Sequence, residues 1–249
     1  YHRPDRVRTM TMNDNHIVAS FDRDLESIQA TMVKMGGLVE QALADAAQAL
    51  RTRDDALAEK VRVGDKVIDD LDLLIKSDAA RLLALRAPTA KDLRLVLAVM
   101  EISSHLERCG DYAKNIAKRT IAMSGAGAIG GTLSDMARMS AFVESMVRES
   151  LDAFIQRDPA KAAEIIARDA EADQIYNTLF RSFLTHMMED HKNITVGMHL
   201  HFIAKNIERV GDHATGIAEQ TIYAVTGALP EDDRPKQDNT TSAIMESGQ

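Results

Sequence analysis

Half of this chain is written twice. Residues Ile102–Ile121 (ISSHLERCGDYAKNIAKRTI) align on Ile203–Ile222 (IAKNIERVGDHATGIAEQTI) at an offset of 101, with ten of twenty positions identical. Upstream, Asp65 and Asp69 align on Asp169 and Asp173 at an offset of 104. A period near 100 residues is too long for a solenoid repeat and marks a domain duplication. Whatever one half folds into, the other must fold into a relative of it.

The unit is helical. Leu25, Ile28, Met32, Met35, Val39, Ala42, Ala46 and Ala49 recur at steps of 3 and 4, the seam of a packed helix. The same pattern predicts helix 1 over about 20–52 and helix 2 over about 54–86, with Val61, Ile68, Leu71, Ile75 and Leu82 inward. Pro88 ends it. Thr89 with Asp92 resembles a capping box and opens helix 3, which runs to about 123 with Leu106, Ala113 and Ala117 inward. Residues 124–131, Ser-Gly-Ala-Gly-Ala-Ile-Gly-Gly, read as the linker. Helix 4 follows over about 133–157, with Met136, Met139, Val143, Met146 and Phe154 inward. Asp158-Pro159 starts helix 5, expected unbroken to about 190, and helix 6 spans about 194–226 up to Gly227. The expected fold class is all-α: two tandem pseudo-symmetric three-helix bundles, 14–123 and 132–227. Residues 228–249, rich in Pro, Asp, Asn, Thr and Ser, read as a disordered tail.

Composition narrows function. The net charge is -8, so the chain lacks the basic stripe that supplies nucleic-acid affinity, and acidity opposes docking on anionic lipid. No run of about 18 apolar residues offers direct membrane insertion. The single cysteine, Cys109, excludes an intrachain disulfide and fits a reducing compartment. The chain opens at Tyr1; Met10 or Met12 are candidate starts, and residues 1–11 are set aside.

The strongest chemical signal is a repeated acidic pair. Glu107 and Asp111, Glu208 and Asp212, Asp65 and Asp69, and Asp169 and Asp173 each stand four apart. Such residues share a helix face at roughly 5–6 Å, and like charges there destabilise the helix by a few tenths of a kcal/mol. All four pairs border the packed seams, so helices 2 and 3, and again 5 and 6, can each gather four carboxylates. Clustered anions need cations. All-oxygen ligands suit Mg, Ca or Mn, and bridging carboxylates also suit iron. The plain alternative is a solvated face neutralised by Arg or Lys, with Arg108 and Arg209 adjacent. Gly110 and Gly211 sit mid-helix and suit close helix approach or ordinary tight packing; His105 and His213 lie near enough to be ligands.

These residues resemble the PhoU family of phosphate-signalling regulators. The resemblance rests on Glu107-Arg-Cys-Gly-Asp111-Tyr-Ala-Lys-Asn115-Ile-Ala and Glu208-Arg-Val-Gly-Asp212-His-Ala-Thr-Gly216-Ile-Ala. It extends to His16-Ile-Val-Ala-Ser-Phe-Asp and Met35-Gly-Gly-Leu-Val, covering about 14–226. It implies a non-enzymatic regulator that couples a phosphate ABC transporter, through its ATPase subunit, to a sensor histidine kinase. It implies repression of phosphate-starvation genes when phosphate is plentiful, from the cytoplasm and peripheral to the inner membrane. It also implies multinuclear metal sites, iron or another metal with Zn, Mn, Mg and Ca open, on Glu107, Asp111, Glu208 and Asp212. Asp65, Asp69, Asp169 and Asp173 would be their partners. Gly216 stands where the family pattern has Asn, which puts the second site in question. A homodimer stays open.

Two rivals remain at this level. A carboxylate-bridged di-iron enzyme needs Glu-x-x-His on two helices, and no such spacing occurs here. A metal-free helical adaptor is compatible with everything above.

Overall fold

The computed structural model describes residues 12–85, 88–125 and 131–230. Residues 126–130 of the linker, and all but the first three of the tail residues 228–249, lie outside the described part. Among these residues seven α-helices follow in order: α1 Met12–Thr52, α2 Asp55–Leu85, α3 Ala90–Ala122, α4 Thr132–Gln156, α5 Pro159–Ala167, α6 Asp169–Glu189 and α7 Ile194–Thr226. No strand occurs among the described residues.

Local chemistry sets the boundaries. Asp54 accepts from the Leu57 amide at 2.9 Å and caps α2. Thr89 accepts from the Asp92 amide and donates to its carboxylate at 2.6 Å, so the expected cap pair starts α3. Asp158 accepts from the amides of Ala160 and Lys161, with Pro159 in the first turn of α5. Gly227, at φ 85°, closes α7 in the left-handed conformation a glycine adopts without strain.

Two differences from the pattern stand out. Helix α1 begins at Met12 rather than near 20, since nothing between Met12 and Ser20 is a Gly or Pro that would halt propagation. The expected fifth helix is broken at Arg168 into α5 and α6. There the Arg168 amide bonds Ile165 O at 3.1 Å, one residue tighter than an α-helical turn. Its guanidinium reaches across to α4, bonding Glu149 at 2.8 Å and Ser145 Oγ at 2.7 Å and lying over the Phe142 ring. No Gly or Pro marks this break, so sequence spacing passed over it.

Helices α1, α2 and α3 pack on one another, and α4, α5–α6 and α7 form the second bundle. The bundles join along two lines, α3 on α7 and α1 on α4. The predicted seams are inside: Met32, Met35 and Val39 of α1 and Met136, Met139 and Met146 of α4 are almost fully buried. Ala42 is only partly covered, and Leu43 takes the core place beside it. No described helix is long and apolar enough to cross a membrane.

The α1–α4 line is close at Gly36, where an added Cβ would meet Leu151 Cδ1 at 2.6 Å; at Gly37 it would meet nothing within 4 Å. Gly36→Val should therefore cost about 1–3 kcal/mol by overpacking. Gly37→Ala should gain about 0.5–1 kcal/mol by helix propensity. Thermal unfolding of the two variants checks this: opposite shifts in Tm are expected, several degrees down for Gly36→Val.

Candidate metal centres

In the first bundle, α2 presents Asp65, Asp69 and Asp72 at i, i+4 and i+7, and α3 presents Glu107 and Asp111 opposite them. Asp65 and Asp72 are buried, and the others are half-covered. Gly110 makes the approach tight: a Cβ there would lie 3.1 Å from Ile68 and 3.3 Å from Asp65 Oδ1. The four expected carboxylates are thus brought onto facing helix flanks. Lys114 enters among them, donating to Asp65 Oδ2 and, at 3.0 Å, to Asp111 Oδ1. Asp65 Oδ1 is buried and has no hydrogen-bond partner among the described residues.

The charges of this cluster act on one another. Burial, then the neighbouring Asp65, raises Asp69, with Lys114 pulling the other way. Burial, then Asp111, raises Glu107. The hydrogen bond to Asp65 holds the Lys114 ammonium firmly charged. Arg108 lies farther off, 3.6 Å from both Glu107 and Asp111.

The second bundle repeats the frame with different counter-charges. Asp173 and Glu208 are buried, and Asp169 and Asp212 are half-covered. Thr215 occupies the place of Lys114 and touches the equivalent aspartate, its hydroxyl 3.3 Å from Asp169 Oδ1. The cation comes from the other side instead: Lys205 donates to Glu208 Oε1 at 2.8 Å and sits over the Tyr176 ring, which stands where the first half has Asp72. Glu208 Oε2 is buried and, like Asp65 Oδ1, has no partner among the described residues. Burial pushes the Glu208 carboxyl up to about 7; Lys205 opposes this, and Asp212 and Asp173 add to it. Gly211 is less constrained than Gly110, since a Cβ there would meet only Ala172 and Val143 at 3.7 and 3.8 Å.

Asp72, Lys114 and Lys205 were not among the sequence candidates. Their spacing held the signal: Asp72 continues the face of Asp65 and Asp69, and both lysines stand three residues from a cluster acid. Asp72 is fully engaged, accepting from Ser103 at 2.8 Å and Lys76 at 2.7 Å. Among the described residues, no three His, Cys, Asp or Glu side chains are disposed to hold one ion as they stand.

Gly216 has a different explanation from a missing ligand. A Cβ there would lie 2.6 Å from Nε2 of His105, a residue of the other bundle. The His105 ring fills that place, and its Nδ1 is 2.9 Å from Nδ1 of His213, so one ring donates and the other accepts. The two histidines weighed as ligands are partners of each other across the α3–α7 seam. Burial, then His105, Arg108 and Arg209, pushes His213 down to about 4.

The comparisons with known proteins match this frame half by half. The PhoU domain model matches residues 32–120 and again 136–221, one copy in each bundle. The chain belongs to the PhoU family. It is 44% identical over 231 residues to a phosphate-specific transport system accessory protein PhoU homolog of Rhizobium meliloti, spanning 93% of this chain and 98% of that one. The corresponding Zymomonas mobilis PhoU homolog is 46% identical over 222 residues, 89% of this chain and 93% of that one. The crystal structure of PhoU from Pseudomonas aeruginosa matches with a TM-score of 0.81 at 36% identity, covering 84% of this chain and all of that chain. PhoU from Streptococcus pneumoniae matches with a TM-score of 0.78 at 31% identity, over 84% of this chain and 98% of that one.

Two outcomes follow from this geometry. Gly216→Asn, which restores the residue of the first half, should clash with His105 and lower Tm. Adding His105→Ala should recover most of the loss, and a double-mutant cycle by thermal unfolding measures the coupling. The second outcome is pH dependence. Glu208, raised to about 7, is more basic folded than unfolded, so it adds stability as pH falls from about 7 towards 4.5. His213, lowered to about 4, does the reverse, removing stability as pH falls below 6.5. In chelator-treated protein the Tm advantage of Glu208→Gln over wild type should therefore be largest at pH 8 and vanish near pH 5. That of His213→Gln should grow over the same descent.

Proposed function

We propose that this chain is a non-enzymatic accessory regulator of phosphate transport that works by binding, with metal at its two acidic clusters. The relatives named as accessory proteins of a phosphate-specific transport system, matched over nearly their full length, support the first part. The observation that carries the second is the orphaned buried carboxylate oxygen in each cluster, Asp65 Oδ1 and Glu208 Oε2, set among further acids. A buried carboxylate oxygen with no donor is costly, and a cation relieves it.

The donor chemistry fits a hard cation: every candidate ligand is a carboxylate oxygen. Asp65, Asp69, Glu107 and Asp111 would hold it in the first bundle, and Asp169, Asp173, Glu208 and Asp212 in the second. The metal would supply the positive charge that Lys114 and Lys205 otherwise supply. Both lysines are partly exposed on flexible stems, so each can swing into solvent as a metal enters. Metal and lysine compete for the same oxygens. All-oxygen ligands suit Mg, Ca or Mn, and bridging carboxylates also suit iron.

Output then passes through protein contact. Partners of the expected kind are the ATPase subunit of a phosphate ABC transporter and the cytoplasmic part of a sensor histidine kinase. Docking on them would place the chain at the cytoplasmic side of the inner membrane and keep starvation genes off in plentiful phosphate.

Elemental analysis and metal titration of protein purified without chelator or metal-affinity resin test the metal reading. Lys114→Met should bind metal more tightly than wild type, and Glu107→Ala with Asp111→Ala should lose the first site. No metal in either bundle would remove that part. For the regulatory part, a depletion strain in high phosphate should switch a starvation-gene reporter on. A reporter that stays low, with transporter and kinase intact, would refute it.

A further inference from the structure

A cleft of about 470 Å³ opens between α3 and α7, farther along their seam from the His105–Gly216 contact. Asn115, Lys118 and Arg119 line it from one face of α3; Lys205, Asn206 and Arg209 line it from one face of α7. None of its lining residues is acidic, in a chain of net charge -8. Two other clefts of the surface are lined by carboxylates, Asp22 and Asp92 in one and Asp135 and Glu171 in the other.

The cations here rest on aromatic faces. The Arg119 guanidinium lies 4.2 Å from the Phe202 ring centre, Lys205 lies 4.8 Å from that of Tyr176, and Arg209 approaches Tyr112 at 6.0 Å. Stacking holds a guanidinium by its plane and leaves its edge N–H donors for a ligand. Among the described residues no carboxylate pairs with Lys118, Arg119 or Arg209.

Duplication does not explain this set. The offset of 101 places Glu219 opposite Lys118, Gln220 opposite Arg119, Ser104 opposite Lys205 and Glu101 opposite Phe202. Of the four cations only Arg209 has a basic counterpart, Arg108. One end of the seam is filled by a histidine against Gly216, and the other is cationic and open.

We propose that this cleft binds a small molecule carrying two or more phosphoryl groups. Two guanidiniums suit bidentate contacts to phosphate oxygens, and the two ammoniums and two amides add charge and donors around them. Lys205 is shared with Glu208, and one carboxylate or one orthophosphate would leave most of Lys118, Arg119 and Arg209 unanswered. The cleft volume falls in the range of sites for nucleotide-sized ligands.

The test is isothermal titration calorimetry of the full chain, stripped of metal by chelator and dialysed, with orthophosphate, tripolyphosphate and ATP as probes. Tripolyphosphate or ATP is expected to bind at least tenfold more tightly than orthophosphate. Lys118→Glu with Arg209→Glu should weaken that binding at least tenfold. Both side chains are exposed, so Tm should hold. Arg23→Glu with Lys34→Glu, exposed residues of α1, changes net charge equally and should leave affinity unchanged within about twofold. Binding of tripolyphosphate alone identifies an inorganic chain, binding of ATP alone a nucleotide, and binding of both a read-out of the phosphate chain itself. No binding by either, orthophosphate binding as tightly as both, or binding that survives the cleft variant would overturn the proposal.

Discussion

The close packing of α3 along α7 is the contact on which the molecule depends. These helices carry the two copies of the repeated motif, so the duplicated segments meet each other rather than lying at opposite ends. Their approach is close: a Cβ on Gly216 of α7 would run into the ring of His105 on α3. The seam positions one flank of each acidic cluster, seats His105 against Gly216 and His213, and forms both walls of the cationic cleft. A displacement of α3 on α7 would disturb all of these together.

The seam also shows how two copies of one sequence came to differ. Within each bundle the acidic frame is preserved, because facing pairs on neighbouring helices constrain one another. The counter-charge is not preserved: it comes from Lys114 in one half and from Lys205 in the other. A flexible ammonium needs only to reach the carboxylates, so its point of origin is free to move along the helix. Between the bundles a two-fold arrangement would repeat the contact of His105 with Gly216 as one of Asn206 with Asn115. The two places differ: Asn115 and Asn206 line an open cleft, and Gly216 accepts a ring.

Periodicity and punctuation made most of the fold legible. The inward stripes of α1, α2 and α4, the caps at Thr89 and Asp158 and the stop at Gly227 are local features, and local physics decided them. The break at Arg168 was not legible, because its anchors are Glu149 and Ser145 on a different helix and its backbone residue is an ordinary helix former. The acidic pairs were legible through repetition alone. Their answering lysines were not separated from the solvated charges around them, since spacing shows which residues share a face and not which reaches across. Gly216 was misleading for a related reason: its absent side chain looked like a lost donor within its own half, whereas the space belongs to a histidine of the other half.

Lys205 ties the acidic and cationic features into one electrostatic unit. Its ammonium is bonded to Glu208 and its side chain lines the cleft. A cation arriving at Glu208 would replace that ammonium and release it towards the cleft, increasing the positive charge an anion there would meet. An anion drawing Lys205 out would in turn leave Glu208 short of a counter-charge and more attractive to metal. Free-energy linkage makes the two effects equal. No long pathway is required, because one side chain of four methylenes has two alternative partners. In the first bundle Lys114 bridges Asp65 and Asp111 and does not line the cleft, although its neighbour Asn115 does. The duplicated frame thus gives two clusters of similar chemistry, and of their two lysines Lys205 is the one that also lines the cleft.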